Sequence, residues 1–355
     1  MKNKTILMGT DTISGIAPEI LESIIAASKV QDLPYGNDDF TKETKRIISN
    51  VFEKKEIEII PMMSGTASNS LALATFLRSY GSILCHSESH INKDEGGAPE
   101  FFSGGGKLLT LNNESGRLNA NDIKHKIKLS NFKGKINSKI SGVSITQLAE
   151  NGTIYNINEI KAISDVCKKN HLFLHMDGAR FANALAFQNN ISPAEASWKS
   201  GVDCLSLGAT KNGAMAAEVI IFFNTDLAEE ANNQIKQTGH LISKTRFISA
   251  QLNAWFEKGL WIDLAKSANQ KALYLNEKIS ILKEFQLLYP TEGNEVFFKI
   301  HKDTYKMLLK LNLLPNLWCY LNSEMLVIRF VTSFETKQEE VEEIVSRLYK
   351  NFKII

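Results

Sequence analysis

The chain has 355 residues, 43% of them hydrophobic and 23% charged, and its 41 basic and 39 acidic residues leave a net charge of +2. That balance belongs to ordinary globular proteins and argues against a disordered, fibrous or polyanion-binding chain, while the length allows about two domains. No apolar run reaches the ~18 residues a transmembrane helix needs, and Asp11 interrupts the basic N-terminus before a signal-peptide core could form. The cysteines (Cys85, Cys167, Cys204, Cys319) are scattered in apolar contexts and suggest neither disulfides nor zinc, so a reducing, cytoplasmic setting without metal or membrane is expected.

In chain order, the first helix is predicted over residues 68–80, entered through Ser64-Gly65-Thr66-Ala67-Ser68-Asn69. Short apolar runs bounded by Gly, Asn and Asp predict buried strands at 82–86, 107–111, 142–146, 172–176, 204–207 and 219–223. Between them, Lys124 to Lys139 holds six lysines alternating with Ile, Leu and Phe, the pattern of a solvated amphipathic face rather than a nucleic-acid patch. Residues 158–170 form a second helix with Ile160, Ile163, Val166 and Cys167 at helical spacing. Strand–helix alternation predicts an α/β fold with a mostly parallel sheet covered on both faces. After about residue 245 the pattern changes to one long helix over 249–282, strands at 295–300 and 325–331, and a final helix with Val341, Ile344, Val345, Leu348 and Phe352 on one face. Thr336 and Glu339 supply a capping box for that last helix. The expected organisation is a large α/β domain over 1–248 and a smaller α+β domain over 249–355.

Three segments carry chemistry together. The helix start at Ser64–Asn69 offers free N–H groups and positive dipole, and Gly65 permits close approach of an anion; alone, this is what many helix caps look like. His175-Met176-Asp177-Gly178-Ala179-Arg180 puts Asp177 at a strand's C-terminal end, where α/β folds bind ligands. Leu205 to Gly213 sets Lys211 between an apolar strand and the nearly uncharged segment 212–217, surroundings that suit a nucleophilic amine. A lysine for a Schiff base, an aspartate for a pyridinium nitrogen and an upstream phosphate cup are the parts of a pyridoxal 5'-phosphate site.

With these segments in view, the chain resembles the fold-type-I pyridoxal phosphate enzymes called L-threonine aldolases, within the β-eliminating lyases. The resemblance spans Gly9-Thr10-Asp11-Thr12, Tyr35-Gly36-Asn37-Asp38, Ser64-Gly65-Thr66, His90 with Glu95-Gly96-Gly97, the two segments around Asp177 and Lys211, and Val327-Ile328-Arg329-Phe330-Val331-Thr332. It implies that Lys211 binds the cofactor covalently, that Asp177 partners the ring nitrogen, and that His90 stacks on the ring with Glu95 close by. It further implies that Gly65, Thr66 and Thr210 hold the phosphate, and that Arg180 and Arg329, with Thr10, hold a substrate carboxylate. His86 competes with His90, but its place inside a strand makes it the weaker candidate. Tyr35 and Arg246 lie in segments that reach a neighbouring subunit's site in this family, which implies a homodimer at least and often a tetramer.

One departure is visible. Threonine aldolases typically carry a second histidine shortly before an Asn-Gly; here the stretch is Thr146-Gln147-Leu148-Ala149-Glu150-Asn151-Gly152, with Glu150 nearest to that place. This resembles the low-specificity threonine or phenylserine aldolase branch. The implied activity is reversible cleavage of an L-β-hydroxy-α-amino acid to glycine and an aldehyde, with His90 as the first candidate for the β-hydroxyl base and Glu150 as the second. β-Elimination, racemisation or transamination on the same cofactor, and a silent amino-acid-binding protein, are the rival expectations.

Overall fold

The computed structural model describes residues 4–354. The first strand, β1 (Ile6–Met8), is followed by the seven strands of the main sheet: β2 (Glu58–Met62), β3 (Gly81–His86), β4 (Lys107–Leu111), β5 (Lys139–Thr146), β6 (Phe173–Gly178), β7 (Cys204–Gly208) and β8 (Glu218–Phe222). Their order is β2-β8-β7-β6-β5-β3-β4, parallel from β7 through β4, with β8 antiparallel to both its neighbours. Helices cover both faces, which is why β3, β7 and β8 are continuous buried runs rather than alternating ones. All six predicted strands of this sheet are present. The seventh, β2, escapes a sequence reading because Pro61 interrupts it; proline is tolerated there because β2 is an edge strand.

The remaining strands are β9 (Gln286–Leu287), β10 (Glu295–His301), β11 (Leu313–Tyr320) and β12 (Met325–Val331). They form a second sheet in the order β1-β11-β12-β10-β9, so a strand from the start of the chain completes a sheet made near its end. β1 runs parallel to β11, with Ile6 opposite Leu313. A second core lies under this sheet, where Leu275, Ile279, Phe298, Ile328, Ile344 and Leu348 pack together.

Three helix expectations are corrected. The helix expected over 68–80 runs over Gly65–Ala74, preceded in the chain by helices at Pro18–Ser28 and Asp39–Val51; it is capped by Ser64 Oγ on Ala67 N, and stops early because Phe76 and Leu77 turn into the core ahead of β3. The long helix is broken: Arg246–Phe256 and Leu260–Ile279 are separate, because Lys258 (φ 52°) and Gly259 (φ 78°) take left-handed conformations. The last helix, Gln338–Tyr349, has no side-chain cap; Thr336 Oγ1 instead accepts from Ser333 N at 2.9 Å, so the capping box does not form. The second predicted helix is observed at Ile157–Lys169, with Asn156 and Glu159 making a full capping box.

Candidate active site

The C-terminal ends of β5, β6 and β7 open on a cavity of about 230 Å³ lined by Gly65, Thr66, His90, Glu150, Asp177, Arg180, Thr210 and Lys211. A second cavity of about 430 Å³ shares His90, Glu150, Arg180 and Lys211 and extends past Thr10 and Arg329 to Trp318. Residues far apart in the chain thus meet where an open α/β sheet binds ligands.

Asp177 is buried and fully engaged. Its Oδ1 accepts from Ala179 N at 3.0 Å and its Oδ2 from Asn69 Nδ2 at 2.9 Å. The same Asn69 amide donates to Glu95 Oε1 at 2.8 Å, and His90 Nδ1 lies 2.9 Å from that oxygen. Since Glu95 Oε1 already accepts, His90 donates through Nδ1, and its Nε2 is left for the cavity. The Glu95 bond raises the His90 pKa above its ordinary value against the opposing effect of burial, so the ring is pushed towards imidazolium. His86 ends β3 instead, its Nδ1 accepting from Glu88 N at 3.2 Å, and it lines neither cavity.

Behind Asp177, on the same strand face, His175 bridges three strands through Ser144 Oγ (2.9 Å, Nδ1) and Ser206 Oγ (3.0 Å, Nε2). Burial drives its pKa down to about 4, so a neutral imidazole locks β5, β6 and β7 beneath the site.

Lys211 sits in a short turn after β7. That turn is held by its neighbour: Asn212 Nδ2 donates to Trp261 O at 2.7 Å, and Trp255 Nε1 donates to Asn212 O at 2.9 Å. Trp255, Phe256 and Trp261 form an aromatic trio with centroids 5.0 to 5.2 Å apart. The break at Lys258–Gly259 is what allows tryptophans from two helices to reach one turn. Trp255→Phe would strand the buried Asn212 carbonyl and is expected to cost about 1–3 kcal/mol in urea unfolding.

The two predicted arginines belong to a buried charge cluster. Arg180 grips Asp11 with Nε (2.8 Å) and Nη2 (3.1 Å), and its Nη1 lies 3.5 Å from Glu295 Oε1. Arg329 Nη1 donates to the same Glu295 oxygen at 2.9 Å and its guanidinium covers the Trp318 ring at 4.7 Å. Burial pushes the Asp11 carboxyl up, but Arg180, Lys211 and the Asn294 amide together hold it below its usual range. The register between β11 and β12 slips between Leu317 and Cys319, a bulge that sets Trp318 at the cavity wall.

Glu150 lines both cavities. Burial raises its pKa to about 7, with Lys211 and Arg180 pulling down and Glu295 and Asp177 pushing up.

Comparison with known proteins follows this geometry. The beta-eliminating lyase family matches residues 8–303. The chain belongs to the beta-eliminating lyase family. Within it, the chain is 40% identical over 311 residues to a low-specificity L-threonine aldolase of Pseudomonas aeruginosa, covering 87% of this chain and 88% of that one. It is 37% identical over 347 residues to a low-specificity L-threonine aldolase of a Pseudomonas species, covering 98% of each. The structure of a Leishmania major threonine aldolase superposes with a TM-score of 0.91 at 26% identity, over 96% of this chain and 98% of that one. The α/β fold is therefore that of a threonine aldolase-type lyase, and the chain is a lyase.

As a beta-eliminating lyase, this chain gathers ten of the twelve sequence-predicted residues around the two cavities: Thr10, Gly65, Thr66, His90, Glu150, Asp177, Arg180, Thr210, Lys211 and Arg329. Tyr35 and Arg246 line neither cavity. Tyr35 is 47% exposed beside Lys236, and Arg246 Nε reaches Ala27 O at 3.4 Å. Sequence reasoning missed Asn69, Asp11, Glu218 and Glu295. Asn69 and Asp11 stood inside segments already singled out, but nothing in either segment says which other segment its side chain would meet.

Proposed function

We propose that this chain is a pyridoxal phosphate-dependent aldolase that reversibly cleaves L-threonine and related L-β-hydroxy-α-amino acids to glycine and an aldehyde. The observation that carries the reading is the convergence of Lys211, Asp177 and the paired arginines on one cavity, beside a carboxyl group, Glu150, poised near neutrality.

The residues present suit the cofactor. A Cβ on Gly65 would meet no atom within 4 Å, so the backbone at the helix start leaves open space where a phosphate would lie. Gly65, Thr66 and Thr210 would hold that phosphate, Lys211 would bond the cofactor covalently, Asp177 would keep a proton on the ring nitrogen, and His90 would cover the ring. When bound, pyridoxal phosphate supplies an electron-accepting ring that stabilises negative charge at the substrate Cα.

The protein's own groups do the rest. Arg329 and Arg180, with Thr10, bind the substrate carboxylate and so fix which Cα bond is aligned for cleavage. A base must then take the β-hydroxyl proton. The Glu95 bond raises the His90 pKa, and whatever fraction of the ring is imidazolium has no acceptor at Nε2. Glu150, titrating near 7, is the better base, which reverses the order expected from the sequence. Protonated at low pH, it cannot accept; turnover is therefore expected to rise as pH climbs through about 7. Glu150→Gln should lower kcat by roughly 10²–10⁴-fold and flatten that limb of the pH profile. A retained limb would return the role to His90.

The assembly is a homo-oligomer in this reading, with a dimer as its minimal unit. Support comes from Tyr35 and Arg246, which lie outside their own chain's cavities, as residues serving a partner's site would. A cytoplasmic setting fits four cysteines that are all unpaired. Among the described residues no helix is long and apolar enough to cross a membrane. The deciding experiment is aldehyde release from L-threonine and from L-phenylserine by cofactor-loaded protein. Release of ammonia or keto acid without aldehyde would overturn the aldolase reading.

A further inference from the structure

One more buried carboxylate at the site, Glu218, has no part in the chemistry above. Glu218 opens β8, between Met62 on β2 and Gly208 on β7, and is buried. It lines the same cavity as Ser64, Gly65, Thr66, Thr210 and Lys211. Its Oε1 accepts from Thr210 N at 3.4 Å. Its Oε2 lies 2.7 Å from where a Cβ on Gly208 would stand, so only glycine at 208 leaves room for this carboxyl group. The carboxylate is therefore built into the wall of the phosphate cup, an odd choice for a site that must accept an anion.

The groups that bear on it are few. Lys211, on the turn after β7, is the cation that acts on it most, and Asp177 on β6 adds negative charge; β2 contributes Met62 and the helix start contributes Ser64, both uncharged. Burial raises the Glu218 pKa to about 7, against the pull of Thr210 and Lys211. A phosphate ester in the cup would bring up to two more negative charges. That added charge favours the neutral acid, whose O–H can donate to a phosphate oxygen.

We propose that Glu218 is part of the phosphate site and holds a proton while the phosphate is bound, so that cofactor binding takes up a proton and weakens as the solution turns alkaline. The inference rests on the reading of the cavity as a pyridoxal phosphate site and adds a residue and a proton to it. Retention of cofactor then depends on pH through a group that never touches the substrate.

The test is equilibrium dialysis of the cofactor-loaded full-length protein between about pH 6 and about pH 9, reading retained pyridoxal phosphate by its absorbance. With one proton linked, the dissociation constant of the unaltered protein should rise more steeply with pH than that of Glu218→Gln, by up to about tenfold per unit above neutrality. The glutamine variant keeps the shape and cancels the contributions of Lys211 and of the phosphate's own titration. A second measurement needs no variant: titration calorimetry in two buffers of different ionisation enthalpy should show greater proton uptake for pyridoxal phosphate than for pyridoxal, which has the same ring and no phosphate. Parallel slopes for the two proteins, or equal proton uptake for the two ligands, would overturn the proposal. Failure to bind pyridoxal phosphate at any pH would overturn the cofactor reading itself, and the two failures are told apart by that result.

Discussion

Lys211→Ala is expected to reduce aldehyde release from L-threonine by roughly 10³-fold or more, while the protein stays folded. The loss is large because, among the described residues, no other amine lines the inner cavity to bond the cofactor. The fold should survive because the turn does not depend on the Lys211 side chain: Asn212 ties it to Trp261 O and Trp255 ties it back. Circular dichroism and the thermal midpoint should match the unaltered protein, and the visible absorption of covalently attached cofactor should disappear. Full aldehyde release by the alanine variant would sink the assignment.

Asp177→Ala should cost nearly as much, about 10²–10³-fold in kcat, for a different reason. Its carboxylate is the one acidic group that accepts from both Ala179 N and Asn69 Nδ2 beneath the cavity, and removing it takes away the negative charge that would keep a proton on the ring nitrogen. The alanine variant also frees the Asn69 amide, so the Glu95–His90 pair loses a fixed neighbour. Asp177→Asn separates these effects. It keeps the size and most of the hydrogen bonding but not the charge, so a loss close to that of alanine marks the charge as decisive. Near-normal turnover by Asp177→Ala with cofactor bound would remove Asp177 from this role.

Much of this site was legible because its parts lie at strand ends and helix starts. Asp177 and Lys211 follow apolar runs, and the Ser64 cap precedes a helix, so local pattern and chemistry coincide. Glu218 and Glu295 were hidden because each opens a strand and reads as an ordinary boundary residue. Only strand pairing sets Glu218 beside Gly208, and only the second sheet carries Glu295 to Arg329. The break at Lys258–Gly259 was missed because the helical hydrophobic pattern continues on both sides of it; the left-handed pair is a two-residue event that periodicity averages away. The proposed order of the two bases was also beyond the sequence, since it turns on the bond that His90 donates to Glu95 and on the burial of Glu150.

The pairing of β1 with β11 bears on how the protein is made. Ile6 to Met8 leave the ribosome well before their partners, Leu313 to Pro315, which come some three hundred residues later. Thr10 and Asp11 follow β1 directly, and Asp11 meets Arg180 and Asn294 across the two sheets. The main sheet, residues 58 to 222, can form from contiguous chain while synthesis continues, but β1 has to wait for β11 before it can dock. The end of the site where the proposed carboxylate clamp lies is therefore completed last. On that reading, a nascent chain held at any earlier length lacks the clamp for an amino acid's carboxylate, even with Lys211 and Asp177 already in place.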